Sequence, residues 1–359
     1  MLDKVSLRID GLDVENFLSY SVEADLYKAA DAFSMELADT GVEIKTGMRC
    51  ELRVNDQLEL TGIVDKVIHN NESGRKDKLT VEGRDLMGLL VDSYCEEFKD
   101  FENVTLKFLA EQLLKNVPFI NREKIIYQED KKDKKEQKKE SDHIKVDPGQ
   151  TVFDVLKDYA ASKGLFFYSM PDGTFVFGAP KMGGEPKYEL FRRKDGRGNN
   201  IISSKVTDDI TKRYSKVTVM GQRQAPDWSD ISVSVPDKED EGKEKYKFPF
   251  YKPFVVFDGN IGDEEDAKRQ AKNLIKQKRL EGITLLYRVA GHAYNGVNWA
   301  INEFCQVVDD VAGVNGPYLI TKRTFKLSRQ GAFTELELGL PGKFQLELGL
   351  SGRFQSSAS

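Results

Sequence analysis

GMRCELRVNDQLELTGIVDKVIHNNESGRKDKLTVEGRD, residues 47–85, and NEFCQVVDDVAGVNGPYLITKRTFKLSRQGAFTELELGL, residues 302–340, share one layout. Each opens on an alternating apolar pair, Cys50 and Leu52 or Cys305 and Val307, and then turns. The first continues as Ile63-Val64-Asp65-Lys66 and the second as Leu319-Ile320-Thr321-Lys322. After a polar turn they end on Leu79-Thr80-Val81-Glu82-Gly83 and Phe333-Thr334-Glu335-Leu336-Glu337. The step from Cys305 to Lys322 is one position longer than that from Cys50 to Lys66, and the step from Lys322 to Thr334 is two positions shorter than that from Lys66 to Thr80. Apolar residues at period two, broken by turn residues, are the signature of half-buried strands. Two readings stand: a chance likeness of two β-meanders, or two related barrels in one chain. The second bears on symmetry, because a closed trimer with two like barrels per subunit presents six similar units in a ring.

The segment before the first copy also reads as β. Val5, Leu7 and Ile9 alternate with Ser6 and Arg8 up to Gly11, and Phe33, Met35 and Leu37 repeat the pattern. Asn55-Asp56-Gln57 is a hairpin turn. Gly83-Arg84-Asp85 ends the last of these strands, and Leu86, Leu89 and Leu90 begin a short helix. Five or six short strands with regular turns predict a small barrel or sandwich.

The period then changes. Leu106, Leu109, Ala110, Leu113, Leu114 and Val117 share one helical face behind the N-cap Thr105, and Pro118 stops the helix. A second helix starts at Thr151, with Asp154 three residues on as a variant capping box; Val152, Val155, Leu156 and Tyr159 form its face, and Gly164 closes it. Leu165–Tyr168, Pro171-Asp172-Gly173 and Thr174–Phe177 read as an aromatic hairpin. Between the helices, Glu129–Glu140 carries six lysines and five acids. Signs that nearly cancel favour a solvated, mobile loop over a basic arm for nucleic acid. Pro236–Lys247 has the same mixed character.

The last third returns to strands around one inserted helix. Lys216–Met220 alternates, and so do Ile283–Ala290 and Phe304–Thr324. Asp263 is a candidate N-cap, with Glu264, Glu265 and Asp266 suiting the positive helix end. Ala267, Ala271, Leu274 and Ile275 make a narrow apolar stripe among Arg269, Lys272, Lys276, Lys278 and Arg279, the pattern of an ordinary docked surface helix. Leu336–Leu340 recurs as Leu346–Leu350, and Gly342 and Phe344 recur as Gly352 and Phe354. Two short repeats are too few for a solenoid, and the tail from Ser356 is small and polar.

Composition narrows function by exclusion. The 359 residues carry 54 Lys+Arg against 59 Asp+Glu, a net charge of -5, which gives no overall basic field for nucleic acid. At about 100–200 residues per domain the length implies two or three domains. Cys50, Cys95 and Cys305 are too scattered for a disulfide framework or a zinc site, which suits a reducing compartment. No signal peptide is visible, and no apolar run approaches the roughly 18 residues of a membrane span. His69, His143 and His292 are equally scattered, and His292 beside Tyr294 and Asn295 reads as a structural histidine. Gly342-Lys343-Phe344 lacks the hydroxyl of a phosphate loop, and Gly196-Arg197-Gly198 is a polar turn without strand-to-helix context. Asp258 and Asp263 lie in a polar loop, yet acid–base work needs two carboxyls at fixed separation in a cleft. Lys181-Met182-Gly183-Gly184 and Phe175–Phe177 mix basic and aromatic residues, but such a hairpin more often packs on its own helix. The expectation is no catalytic, cofactor-binding or metal-binding residue, and no enzyme.

The order of elements resembles one family. A β-domain ending in a strand plus Gly-Arg-Asp (Leu79–Leu90) precedes a helical middle. Then come Thr151-Val152-Phe153-Asp154-Val155-Leu156, Gly164-Leu165-Phe166-Phe167-Tyr168 and Pro171-Asp172-Gly173-Thr174-Phe175. This ordered combination, over about residues 1–345, is similar to the central baseplate hub proteins of contractile-tailed phages, the late control protein D and Mu-like tail hub family. That family is related to the N-terminal module of type VI secretion spike proteins.

The resemblance implies an α+β, mainly β fold. It consists of two similar small β-barrels, an α/β middle region and an inserted helix. Expected domains are 1–94, a first barrel; 95–200, an α/β middle with a mobile loop at 129–140; 201–345, a second barrel with an insertion at 225–282; and 346–359, a flexible tail. It also implies a trimeric pseudo-sixfold ring that joins tail tube to spike and passes DNA without specific binding. Its partners would be two further copies, a separate spike protein, the tail tube and other baseplate proteins, with no stable membrane insertion. Such a protein belongs to the virion and assembles in the host cytoplasm. Edge strands are the natural contacts of a ring, and Val5–Ile9 and Leu336–Leu340 are the terminal candidates. Alternatives from other classes are a tail-borne cell-wall hydrolase and a carbohydrate-binding β-module. Only Trp228 and Trp299 are available as tryptophan platforms for the latter.

Overall fold

The computed structural model describes residues 3–15, 17–38, 43–70, 78–102, 104–128, 143–162, 165–179, 181, 183–222, 230–237, 248–257 and 263–339. The loop at 129–140, the tail at 346–359, Trp228, Asp258, Gly164 and Gly342–Phe344 lie outside them. The chain divides into two compact units. One takes Met1–Ala160, Leu165–Ser204 and Leu286–Leu338; the other takes Ala161–Gly164, Lys205–Leu285 and Gly339–Ser359.

The first unit opens on seven strands: β1 (Val5–Ile9), β2 (Leu12–Val14), β3 (Phe17–Asp25), β4 (Ala32–Ala38), β5 (Arg49–Val54), β6 (Gln57–Asn70) and β7 (Lys78–Asp85). The alternation read from sequence is the burial observed: Val5, Leu7 and Ile9 point inward from β1, as Phe33, Met35 and Leu37 do from β4. The β5–β6 hairpin turns at Asn55 and Asp56, both with positive φ (51° and 61°), the geometry that a tight two-residue hairpin demands. Strand β6 is long enough for two partners. Its first half pairs with β5 from Val54↔Gln57 to Arg49↔Ile63, and its second half pairs with β7 as far as Asn70↔Lys78, with a bulge between Val64 and Lys66. At that crossing a Cβ on Gly83 would run into the Ile63 carbonyl oxygen, so only glycine fits.

The helical middle follows: α1 (Met87–Asp92), β8 (Asp100–Glu102), α2 (Leu106–Leu113), β9 (Ile126–Tyr127), β10 (His143–Lys145), α3 (Val152–Ser162), β11 (Phe166–Ser169) and β12 (Phe175–Gly178). Thr105 caps α2 by accepting from the Phe108 N–H. At α3 the capping box is reciprocal: the Asp154 N–H donates to Thr151 Oγ1 at 3.1 Å, and the Thr151 N–H to Asp154 Oδ2 at 3.4 Å. Leu109 and Ala110 of α2, its C-cap Leu114, and Val155, Leu156 and Tyr159 of α3 meet Phe167, Phe175 and Phe177 in one core. Phe167 stacks on Phe177 with ring centroids 4.3 Å apart.

Strands β13 (Tyr188–Arg192) and β14 (Ile201–Asp208) lead toward the second unit. There β15 (Lys216–Gln222) pairs antiparallel with β16 (Asp230–Pro236) and parallel with β17 (Pro253–Phe257). Helix α4 (Glu264–Glu281) lays the predicted stripe of Ala267, Ala271, Leu274 and Ile275 on Val217, Val219 and Ile231. Asp237 is buried there, with Arg279 Nε 2.5 Å and Arg213 Nη2 3.6 Å from its carboxylate. The chain returns through β18 (Ile283–Ala290), β19 (Ala293–Tyr294), β20 (Val297–Asn298), β21 (Phe304–Asp309), β22 (Val314–Ser328) and β23 (Gly331–Gly339).

The main sheet has 13 strands in the order β14-β18-β23-β22-β3-β4-β7-β6-β5-β1-β2, with β21 on β22 and β13 on β21. The fold is mainly β, as expected. The two closed barrels are not: among the described strands none closes, and both repeats belong to one continuous sheet. The reason is local. Strand β22 gives an edge to β3, so the backbone groups that closure would satisfy are satisfied by the other repeat. The repeat itself is present in three dimensions. Cys50 pairs with Gly62 and Cys305 with Tyr318 at matching places in the β5–β6 and β21–β22 hairpins; the second turn, Asp310–Gly313, is two residues longer than Asn55–Asp56, and a bulge opposite Leu52 and Arg53 in the first copy takes one of them back.

Candidate assembly seam

The two repeats meet where β3 lies antiparallel on β22, from Lys322↔Asp25 to Leu327↔Tyr20. Lys322 Nζ reaches Glu23 at 2.8 Å and Asp25 at 3.6 Å. Burial pushes the Glu23 carboxyl up, but Lys28 and Lys322 together hold it below its usual range. One residue on, Arg323 turns inward and sets Nη2 3.1 Å from Glu59 Oε2, with both side chains almost fully buried. Glu59 also accepts from Asn298 Nδ2 at 2.6 Å, and Asn298 Oδ1 accepts from Asn55 Nδ2 at 3.0 Å. Strands from opposite ends of the sequence are thereby tied by charge-assisted hydrogen bonds, stronger than neutral ones in a dry interior.

His292 completes the seam. Its Nε2 lies 2.7 Å from the Tyr20 hydroxyl, its Nδ1 lies 3.2 Å from Thr334 Oγ1, and its N–H donates to Asp3. Burial lowers the imidazole pKa to about 4, and the nearby Asp3 charge offsets only part of that. The ring is a satisfied structural histidine, as the sequence implies.

A second polar cluster anchors the end of β7 to the middle region. Arg84 spans Asp65 (Nε–Oδ2 2.6 Å) and Asp92 (Nη2–Oδ2 2.5 Å). Asp85 is buried, accepts from the Met87 N–H at 3.1 Å and holds Ser169 Oγ. Burial pushes the Asp85 carboxyl above its ordinary range, and burial with the Asp85 charge does the same to Asp31. Gly83-Arg84-Asp85 reads in sequence as a strand end. In the fold it is the junction between β-sheet and helical core, which a sequence pattern could signal only as a charged pair beside apolar residues.

The other singled-out residues are plainly placed. Phe175 and Phe177 are buried in the helical core, so they offer no nucleic-acid face. Lys181 pairs with Glu303. Gly196 and Gly198 have φ of 76° and 66°, in the turn between β13 and β14. Asp263 is exposed ahead of α4 and its carbonyl accepts from the Ala267 N–H; its supposed partner Asp258 lies outside the described residues. Cys50 and Cys305 are buried, and burial pushes both thiols up to about 12. Among the described residues no three His, Cys, Asp or Glu side chains group as metal ligands, and no helix is long and apolar enough to cross a membrane. The two terminal strands expected to offer edges do not. Strand β1 lies between β2 and β5, and β23 lies between β18 and β22.

Both ends of this seam match known sequence families. Residues 4–85 match the family described as Mu phage baseplate assembly protein GpP-like, N-terminal, and residues 277–340 match that described as tail protein, C-terminal domain. The chain is related to phage tail and baseplate proteins. Its fold is that of a tail protein from Neisseria meningitidis, at 26% identity and a TM-score of 0.75, covering 96% of this chain and 98% of that one. A 43 kDa tail protein of prophage MuSo2 from Shewanella oneidensis is similar at 20% identity and TM-score 0.77, over 95% and 99% of the two chains. An Escherichia coli component of the type VI secretion system shares the fold at 13% identity and TM-score 0.54, over 93% of this chain and 76% of that one. So does a chain of the Francisella PdpA-VgrG complex, at 9% identity and TM-score 0.58, over 94% and 58%. No curated protein sequence matches the chain. Of the residues on which the resemblance was read, 79–85 lie within the first matched span, and 151–175 share with these proteins the fold.

Proposed function

We propose that this protein is the structural hub of a contractile tail baseplate. In this reading three copies form a ring with pseudo-sixfold character, which joins the tail tube to a separate spike protein and lets DNA pass. The observation that carries it is the seam. Two similar strand units, one matched by a baseplate family and the other by a tail-protein family, are joined edge to edge within one chain. A ring of three such chains repeats that joint between units with little further change.

The two barrels expected from sequence become open strand units that are completed by their neighbours. The domain division that goes with this reading is 1–94 for the first strand repeat, 95–200 for the helical middle and 201–345 for the second strand repeat with its insertion. The likeness of fold to a type VI secretion component and to a chain of the PdpA-VgrG complex supports a spike as partner. The near-balanced charge suits a lumen that does not hold phosphates, and assembly belongs in the host cytoplasm before the protein enters the virion. The role is mechanical rather than catalytic. Light scattering on the purified full chain tests it: a trimer supports the reading, and a strict monomer at high concentration sinks it. Clearing of a peptidoglycan gel would instead support a cell-wall hydrolase.

A further inference from the structure

The small sheet of the second unit has an open apolar edge. Strand β17 pairs with β15 on one side and with no described strand on the other. Its Phe254 and Val256 pack toward α4, while Val255 and Phe257 on the opposite face are 57% and 63% exposed. Phe250 and Tyr251 just ahead are exposed as well. No other stretch of eight described residues exposes four large hydrophobic side chains. Sheets shield such an edge with charge, proline or a covering segment, and β17 has Pro253 at its start and no charged residue. The chain end offers a cover. Leu336–Gln345 is followed at once by Leu346–Gln355, identical at eight of ten positions. The first copy supplies the end of β23, where Leu336 and Leu338 are buried and Glu337 between them is half-buried. The second copy has the same alternation, so it favours the same extended conformation and the same burial of leucine. Gly339, the last described residue, belongs to the unit that holds β17. Extended, residues 340–345 reach about 20 Å, against roughly 10 Å across three paired strands.

We propose that the second copy, Leu346–Leu350, adds to the free edge of β17 in the same chain as a fourth strand. Leu346, Leu348 and Leu350 then flank Val255 and Phe257 on one side, as Thr218 and Met220 of β15 do on the other. Glu347 falls on the helix side, where Lys278 Nζ, paired with Glu281 at 2.7 Å, lies 5.8 Å from the centre of the Phe254 ring. The added strand satisfies the outer backbone groups of β17 and screens its apolar row. Backbone bonds supply the affinity and the alternate leucines the register, as where an extended peptide joins a sheet edge. Attachment to the same chain keeps the segment at high effective concentration, so this edge is closed from within rather than left open to a partner.

Cross-linking and hydrogen exchange on the full chain test this. Val255 and Ser234 lie in one row of the sheet on either side of Thr218, so they mark its two edges. The native Cys50, Cys95 and Cys305 are buried. With a short bismaleimide, Leu348→Cys/Val255→Cys protein is expected to give a linked peptide pair within one chain, at single-chain mass on a denaturing gel. Leu348→Cys/Ser234→Cys protein is expected to give roughly tenfold less, because neighbouring strands bring side chains to about 5 Å and the far edge does not. Independently, amides of Phe254–Phe257 should exchange roughly tenfold faster or more in Leu346→Asp/Leu348→Asp than in the wild type, while Val217–Met220 of β15 keeps its rate and reports an intact fold. Equal cross-linking at both edges, or β17 exchange unchanged by the aspartates, would overturn the proposal. Cross-links found between chains instead of within one would also overturn it and assign the edge to a second copy.

Discussion

Acidification from pH 7 to pH 5 should weaken this fold through His292 in a way that one substitution can isolate. The imidazole is fully buried, faces Tyr20, Thr334, Asp3 and Arg323, and titrates at about 4 instead of 6.5. Its folded-state value is depressed, so its contribution is complete above 6.5 and drains away as pH falls toward 4. Between pH 7 and pH 5 the unfolded chain takes up most of a proton at this site and the folded chain almost none. Linkage converts that into a loss of about 2 kcal/mol. Asp31 and Asp85 act in the opposite sense: their raised values mean that their contribution falls as pH rises out of the ordinary carboxylate range. The useful quantity is therefore a difference of differences. Urea unfolding at pH 7 and pH 5 should show the wild type losing about 2 kcal/mol more than His292→Gln over that interval, the linkage contribution of this one proton. Parallel losses in the two proteins would refute the argument, because they would mean that the ring is protonated in the fold or has no part in the seam's acid response.

Three further outcomes follow from the packing. Arg323→Met should destabilise the fold by about 3–5 kcal/mol by leaving Glu59 buried without its cation, and adding Glu59→Leu should recover most of that loss in denaturant titrations. Phe177→Ala removes a stacked ring from the helical core and should cost about 3–5 kcal/mol in the same assay, whereas the exposed Phe108→Ala should change little. Native protein at pH 8 should leave Cys50 and Cys305 unreacted with a thiol reagent, because both are buried and their thiols are pushed up to about 12, and denaturant should release them.

What could be read from sequence was periodic or local. The alternation in β1 and β4, the cap at Thr105 and the box at Thr151–Asp154 each depend on residues a few positions apart, and each stands in the fold. The repeat was legible because Cys50 and Cys305 hold the same place in like hairpins. The seam was not, because it pairs Tyr20–Asp25 with Lys322–Leu327 and nothing local encodes such a register. Arg323 is the clearest case: in sequence it is one more charge in a polar strand, and only Glu59, near the other end of the chain, explains its burial. The same blindness misplaced the edges. Val5–Ile9 and Leu336–Leu340 sit near the chain ends, but being terminal in sequence does not make a strand terminal in a sheet.

In the proposed assembly, the two like strand repeats of one chain join those of two more chains in a ring. Native mass spectrometry of the full-length protein near neutral pH tests it most directly. A ring of three chains should give a closed species of three times the single-chain mass that persists on dilution. A single-chain mass throughout the concentration range, or an even-numbered series built on a dimer, would contradict it.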